Sequence, residues 1–475
     1  MKILYAASEC APFIKTGGLG DVVGALPKSL AQKGHQVAVV LPYYHKIADQ
    51  YQQQIEYLMD FTVEVGWRHQ YCGVKYLKLD QVNYYFIDNE YYFARDGVYG
   101  YYDDGERFAF FQQAVIEMME KVDFIPDVLN VNDYHTGFIP FLLKEKYSWI
   151  EAYQKIATVL TIHNLEFQGQ YGEDTLMELF GMELTKAQDG TVMQDGCVNW
   201  LKTGILYADK VNTVSPTYAS EIQTPAFGCR LDSILRQENY KLSGILNGID
   251  YSIQNPQTDS LITHHYSVQN LKGKAQDKAI LQKEYQLPVR DDVPVIGVVS
   301  RLTDQKGFQL VLEEMENLLQ FDIQFVLLGT GYQKYEEAFK YFAQRYPDKC
   351  GVKITFDIKQ AQEIYAGSDL FLMPSAFEPC GLSQMISMRY GTLPIVHQIG
   401  GLQDSVNVYN PIEQTGNGFG FSEFSSFYMM ETIKQALAVY SQADVWLKMM
   451  ETAMQTDFSW KTASEKYLAL YQSII

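Results

Sequence analysis

Residues Ile14–Leu30 read IKTGGLGDVVGALPKSL and follow closely on an apolar run, KILYAAS at 2–8. A buried-type strand, a glycine-rich turn and then a helix form the opening unit of a doubly wound parallel sheet. The turn is not the dinucleotide fingerprint, which needs a third glycine three residues after the second. Here Gly18 and Gly20 are followed by Val23, and the next glycine is Gly24. A helix start offers N–H groups to an anion, the glycines allow close approach, and Lys15 stands beside them. A plain tight turn with a solvated lysine is the equal alternative.

The same alternation continues along the chain. Short apolar runs recur at 36–42, 127–133, 157–164 and 210–215, with polar, helix-favouring stretches between several of them. Residues 61–89 space their apolar runs more closely, which predicts a hairpin insertion or edge meander. A second series begins near residue 290, with runs at 293–300, 323–329, 351–356, 370–375 and 393–397. The clearest helix is 332–347, ended by Pro347. Residues 244–266 are rich in Gly, Asn and Pro and read as a linker. The pattern predicts an α/β chain of two Rossmann-like domains with parallel sheets facing a central cleft. Their expected extents are 1–245 and 246–456, with a helix at 457–475 crossing back onto the first.

Composition narrows the partners. The 475 residues carry a formal charge of −19, which disfavours nucleic acid and anionic membranes. An anionic substrate then needs local cations. Six cysteines show no CxxC pairing and read as reduced thiols of a cytoplasmic protein. No run approaches a membrane span. The 35 Tyr and 26 Phe suit ring-shaped ligands, or packing equally.

Ligands of open α/β sheets bind beyond the carboxyl ends of the strands, and the chemically promising residues fall there. Asp133 and His135 follow the run at 127–133, and His163 and Asn164 end the run at 157–164. A lone histidine in such a place reads more readily as a core residue, but two such pairs at strand ends shift the reading toward function. Arg301 and Lys306 follow the run at 293–300; a planar fork and a point charge together suit a diphosphate. Glu378 precedes a Pro-Cys-Gly turn and a helix starting near Leu382, so its carboxylate can bond sugar hydroxyls while the helix start holds phosphate. No HExxH, CxxC or convincing acidic pair supports a metal, and no cofactor is called for. Asp103 and Asp104 lie in a Tyr-rich loop, 91–108, that reads as substrate-facing or mobile.

Seven segments occur together in order: KTGGLGDVVGALP, TIHNLEFQG, GILNGID, SRLTDQKG, FEPCGLSQ, YGTLPIV and GGLQDSV. As a set they resemble the bacterial glycogen synthases and plant starch synthases, glycosyltransferases of GT-B architecture, over essentially the whole chain. The resemblance implies transfer of glucose from ADP-glucose to the non-reducing end of an α-1,4-glucan such as glycogen, with retention at the anomeric carbon. It implies that Lys15, Gly17 and Gly18 approach the distal phosphate and glucose, and that Arg301 and Lys306 stabilise the leaving ADP. Glu378 would bond glucose hydroxyls, supported by the amides of Cys380, Gly381, Leu382 and Ser383, and His163 would bind the 6-hydroxyl. Asp21, Asp133, His135 and Asn164 would complete the wall, and Phe356 would stack on adenine. A front-face mechanism is implied, in which the leaving phosphate takes the acceptor proton and leaving-group stabilisation replaces an acid/base pair.

The sequence departs from the family pattern at a few places. Phe356 stands where Tyr is usual, Gln254 where Trp is common and Ile399 where Thr is usual. Cys229 and Arg230 replace small residues. The alternatives are a retaining enzyme using UDP-glucose or a small acceptor, and a non-catalytic glucan-binding protein.

Overall fold

The computed structural model describes all 475 residues. They divide into two compact units, Met1–Gly248 with Trp460–Ile475, and Ile249–Ser459. No helix is long and apolar enough to cross a membrane.

The main sheet of the first unit contains β1 (Lys2–Ala6), β2 (Gln36–Pro42), β3 (Glu56–Val65), β4 (Arg68–Leu79), β5 (Val82–Asp88), β6 (Val128–Asn132) and β7 (Ala157–Ile162). A small antiparallel sheet of β8 (Gln170–Tyr171), β9 (Met193–Gln194) and β10 (Cys197–Asn199) follows, and β11 (Lys210–Thr213) and β12 (Leu242–Gly244) return to the main one. Strand order is β12-β11-β7-β6-β1-β2-β5-β4-β3. All neighbours are parallel from β12 to β5, while β4 and β3 fold back as an antiparallel meander at the edge. Central strands such as β1 and β6 are buried along nearly their whole length, which explains their unbroken apolar runs. Edge strand β3 alternates, with Val63 and Val65 inside and Thr62 and Glu64 outside.

Chain order reverses at β1, whose two neighbours are β2 and β6. This is the topological switch point, and its loops are where a ligand is expected. The helix Gly18–Gln32 follows β1, and the last helix, Trp460–Gln472, packs beside it. Ser29 Oγ donates to Trp460 O at 3.2 Å. The Tyr5 and Tyr471 hydroxyls meet at 2.6 Å, and Asn212 Nδ2 donates to the Tyr467 hydroxyl at 3.1 Å. These buried polar contacts tie the terminal helix to the strands of the first unit.

The second unit holds six parallel strands: β13 (Val295–Val299), β14 (Gln324–Leu328), β15 (Cys350–Lys353), β16 (Leu370–Met373), β17 (Leu393–His397) and β18 (Phe419–Phe421). Their order, β15-β14-β13-β16-β17-β18, is that of a Rossmann sheet, with its switch point between β13 and β16. Two short edge strands, β12 and β18, have no counterpart in the sequence reading. Three residues each are too few for periodicity to mark. Residues 245–271 contain neither helix nor strand.

Candidate active site

Beyond β1 the chain passes Ser8 and Glu9 and enters the glycine loop. Gly17 precedes the helix in extended conformation and supplies no side-chain cap. The two N–H groups that lead into this helix, those of Thr16 and Gly17, are met by Glu9. Its carboxylate accepts from Thr16 N, from Gly17 N at 3.2 Å and from Thr16 Oγ1 at 3.1 Å. Burial raises the pKa of Glu9, opposed by these donated bonds. The loop therefore carries an internal carboxyl acceptor at two amides just before the helix. Lys15 Nζ lies 2.6 Å from Asp21 Oδ1, with both side chains partly exposed. Gly24, the glycine that breaks the fingerprint spacing, has a structural reason: a Cβ there would stand 2.7 Å from Ala11 O. At Gly18 a Cβ would meet nothing within 4 Å.

Beyond β6, Asp133 adopts a left-handed φ of 53°. This twist aims its Oδ1 at the turn after β7, where it accepts from His163 N at 2.7 Å and Asn164 N at 3.4 Å. Burial pushes its pKa up to about 7; the two N–H bonds oppose that, and the charge of Glu9 adds to it. His163 Nε2 is 2.9 Å from Asn132 Oδ1. The Asn132 amide nitrogen donates to Ala6 O and Asn130 Oδ1, each at 3.1 Å, so its oxygen is the acceptor. His163 must then donate from Nε2, which leaves Nδ1 as a free acceptor. Desolvation lowers its pKa to about 3, so the ring is neutral. The Asn164 side chain accepts from Glu166 N at 3.0 Å and shapes the turn.

His135 sits differently. Its ring stacks on Tyr99 at 4.6 Å and meets Phe108 edge-on at 4.6 Å. It is 6 % exposed, and burial, with the nearby Arg107 charge, lowers its pKa to about 3. His135 is a neutral ring in an aromatic stack. The Tyr99 hydroxyl reaches Ser8 Oγ at 2.6 Å and donates to Glu9 Oε1 at 3.2 Å. The Tyr-rich loop is thereby tied to the end of β1. Asp103 and Asp104 hold the same loop: Asp103 pairs with Arg95 at 2.8 Å, and Asp104 pairs with the fully buried Arg107 while accepting from Gly100 N at 2.8 Å. No group of three or more His, Cys, Asp or Glu side chains is arranged to hold a metal.

In the second unit, Arg301 and Lys306 follow β13 and Glu378 follows β16, on the two sides of the switch point. A single turn, Asp304–Lys306, runs into Gly307 at φ 74° and then the helix Phe308–Leu318. A Cβ on Gly307 would stand 1.9 Å from Pro374 O, so only glycine lets these two loops meet. Across that junction Lys306 Nζ bonds Glu378 Oε2 at 2.7 Å, and Ser375 Oγ donates to the same oxygen at 3.0 Å. His397 Nδ1 donates to Ser375 O at 2.7 Å and steadies the turn. Arg301 is exposed.

Cys380, Gly381 and Leu382 lead into the helix Ser383–Arg389. Gln384 Nε2 bridges Cys380 O at 3.1 Å, Gly381 O at 3.0 Å and Ser405 Oγ at 3.0 Å. Gly401 allows close packing here, since its Cβ would lie 2.1 Å from Cys380 O. Phe356, beyond β15, is 83 % exposed and presents a bare ring. Sequence reading missed Glu9, Asn132, Tyr99 and Ser375. Only Asn132 left a signal, as one of two asparagines alternating in an otherwise apolar strand, LNVN.

Comparison with known proteins gives this geometry its context. Residues 2–237 match the family model described as starch synthase catalytic domain, and residues 281–443 match glycosyl transferases group 1. The chain is 64 % identical over 476 aligned residues to a glycogen synthase of Ligilactobacillus salivarius, covering all of both chains. The chain belongs to the glycogen synthase family. A family member from Streptococcus sanguinis is 60 % identical, again over the whole of both chains. Among solved structures, the catalytic domain of starch synthase IV from Arabidopsis thaliana, bound to ADP and acarbose, superposes with a TM-score of 0.92 at 32 % identity, covering 99 % of each chain. Sucrose-phosphate synthase from Thermosynechococcus elongatus shares the fold, with a TM-score of 0.63 at 16 % identity, covering 100 % of this chain and 98 % of that one.

Proposed function

We propose that this protein is a retaining glucosyltransferase that moves glucose from ADP-glucose to the non-reducing end of an α-1,4-glucan. The observation that carries the reading is the Lys306–Glu378 pair at the switch point of the second unit, in a chain 64 % identical along its length to a glycogen synthase.

In this reading Arg301 and Lys306 bind the donor diphosphate and stabilise the charge that builds on ADP as the glycosidic bond breaks. Glu378, fixed by Lys306 and Ser375, accepts from glucose hydroxyls, and the Cys380–Ser383 backbone supports sugar and phosphate. Phe356 keeps the stacking face for adenine without a hydroxyl. On the first unit, His163 Nδ1 accepts from the 6-hydroxyl, Lys15 approaches the distal phosphate, and Gly17 and Gly18 leave room for the glucose. Asp133 orients the His163 turn, while His135 belongs to the packing that holds Tyr99. The leaving phosphate takes the acceptor proton.

No disulfide joins any of the six cysteines, which suits a cytoplasmic setting. Incubation with glycogen and either ADP-glucose or UDP-glucose, with nucleotide release measured, tests the assignment. Faster release from ADP-glucose is expected. Preference for UDP-glucose overturns the donor, and no release from either overturns the enzymatic reading.

A further inference from the structure

Strand β6 carries two asparagines, Asn130 and Asn132, in an otherwise apolar run between β1 and β7. Each is 1 % exposed. A buried amide is costly unless its hydrogen bonds are met, and an apolar side chain would fill the same strand without that cost.

The bonds of this pair run in one direction. Ala6 O can only accept, so the group of Asn132 that faces it at 3.1 Å is Nδ2. The second hydrogen of that nitrogen goes to Asn130 Oδ1, also at 3.1 Å. Asn130 then turns its own Nδ2 to Thr161 Oγ1 at 3.2 Å and to the Tyr471 hydroxyl of the last helix at 3.1 Å. Held in this way, Asn132 presents its oxygen, and not its nitrogen, to His163 Nε2 at 2.9 Å. Reversing the Asn132 amide would set its oxygen against Ala6 O and the Asn130 oxygen. A His163 ring protonated at Nδ1 would require that reversed amide. Asp133 holds the same turn through the main chain, accepting from His163 N, while Asn132 makes the bond to the ring.

We propose that Asn132 is a positioning residue that determines specificity at the 6-position of the donor sugar. It fixes His163 with the proton on Nε2, so that Nδ1 can only accept and the sugar must bring a hydroxyl that donates. The inference rests on the assignment of His163 to the 6-hydroxyl made above. A 6-fluoro group, which cannot donate, sets a lone pair against the Nδ1 lone pair and is rejected. A histidine free to choose its tautomer would discriminate less, since it could offer either an N–H or a bare nitrogen.

Two measurements test this. In wild-type protein labelled with nitrogen-15 histidine, the NMR resonances missing from His163→Gln identify the ring. A protonated Nε2 and a bare Nδ1 are expected, and a protonated Nδ1 overturns the proposal; this needs no substitution in the core. The kcat/KM for ADP-glucose and for its 6-deoxy-6-fluoro analogue is then compared between wild type and Asn132→Leu. The intrinsic effect of fluorine is common to both proteins and cancels. The preference for ADP-glucose should fall about 3- to 10-fold in Asn132→Leu, as for loss of one oriented hydrogen bond, and its His163 spectrum should show both tautomers. An unchanged preference, or a spectrum still of the Nε2-protonated form alone, overturns the proposal. No turnover of ADP-glucose by the wild type overturns the functional reading instead, and the spectra alone then decide the role of Asn132.

Discussion

Lys306 Nζ and Glu378 Oε2 are 2.7 Å apart, with both side chains largely buried and no carboxylate or cation competing for either. The pair is formed before any donor arrives. A lysine held by a carboxylate keeps its position, and the carboxylate keeps lone pairs for hydroxyls. Preorganisation of this kind makes a charge effective at a departing phosphate, because nothing reorganises as the bond breaks.

Lys306→Ala should therefore lower kcat about 10²- to 10³-fold. It also strands Glu378, so the melting temperature should fall, by an amount corresponding to about 1–3 kcal/mol. Glucosyl transfer from ADP-glucose and thermal unfolding of the same preparation check both. Wild-type turnover in this variant would remove Lys306 from the mechanism.

Gly18 and Gly307 separate substrate effects from folding effects. At Gly307 an alanine meets Pro374 O and a left-handed φ together, so Gly307→Ala should cost about 2–4 kcal/mol or prevent folding. At Gly18 the added methyl meets only open space, within a helix. Gly18→Ala should leave stability unchanged or raise it by up to about 1 kcal/mol. If glucose approaches Gly18 as proposed, KM for ADP-glucose should still rise several-fold. An unchanged KM would remove Gly18 from the donor site.

The sequence made the layered plan and the placing of its loops legible, because buried parallel strands leave apolar runs and ligands bind at strand ends. Thus β2 and β17 coincide with the runs at 36–42 and 393–397. Arg301, Lys306 and Glu378 were legible for the same reason, as charged residues just past apolar runs. What was hidden depends on contacts between segments distant in sequence. Nothing local marks Glu9 as the partner of the Thr16 and Gly17 amides, or Tyr99 as the residue that ties an outer loop to it. His135 looked like His163 in sequence. Its difference comes from Tyr99 and Phe108, which the fold brings from another segment.

Glu9 offers a test of that hidden part. Glu9→Ala removes the acceptor for Thr16 N, Gly17 N and Thr16 Oγ1 and should cost about 1–3 kcal/mol. Glu9→Gln keeps an acceptor oxygen and should recover part of that loss. Denaturant unfolding of the two variants measures the difference. Equal stability of Glu9→Ala and wild type would show that the loop amides find other partners.

Asp133 contributes to the pH dependence of stability. Its folded pKa, pushed up to about 7, lies well above the ordinary carboxylate value, so the folded chain holds this proton more tightly than the unfolded chain. Its contribution favours the native state most fully below about pH 4 and is lost as pH rises through about 7. Above pH 7 the buried charge, near that of Glu9, is a destabilising element. Asp133→Asn keeps an oxygen for the His163 and Asn164 N–H groups while removing the charge. It should raise stability at pH 8 by about 1–3 kcal/mol relative to wild type, with the difference shrinking as pH falls toward 5. Urea unfolding at pH 5 and pH 8 gives the comparison. A variant less stable than wild type at pH 8 would mean that the Asp133 carboxylate is held in its charged form by the site.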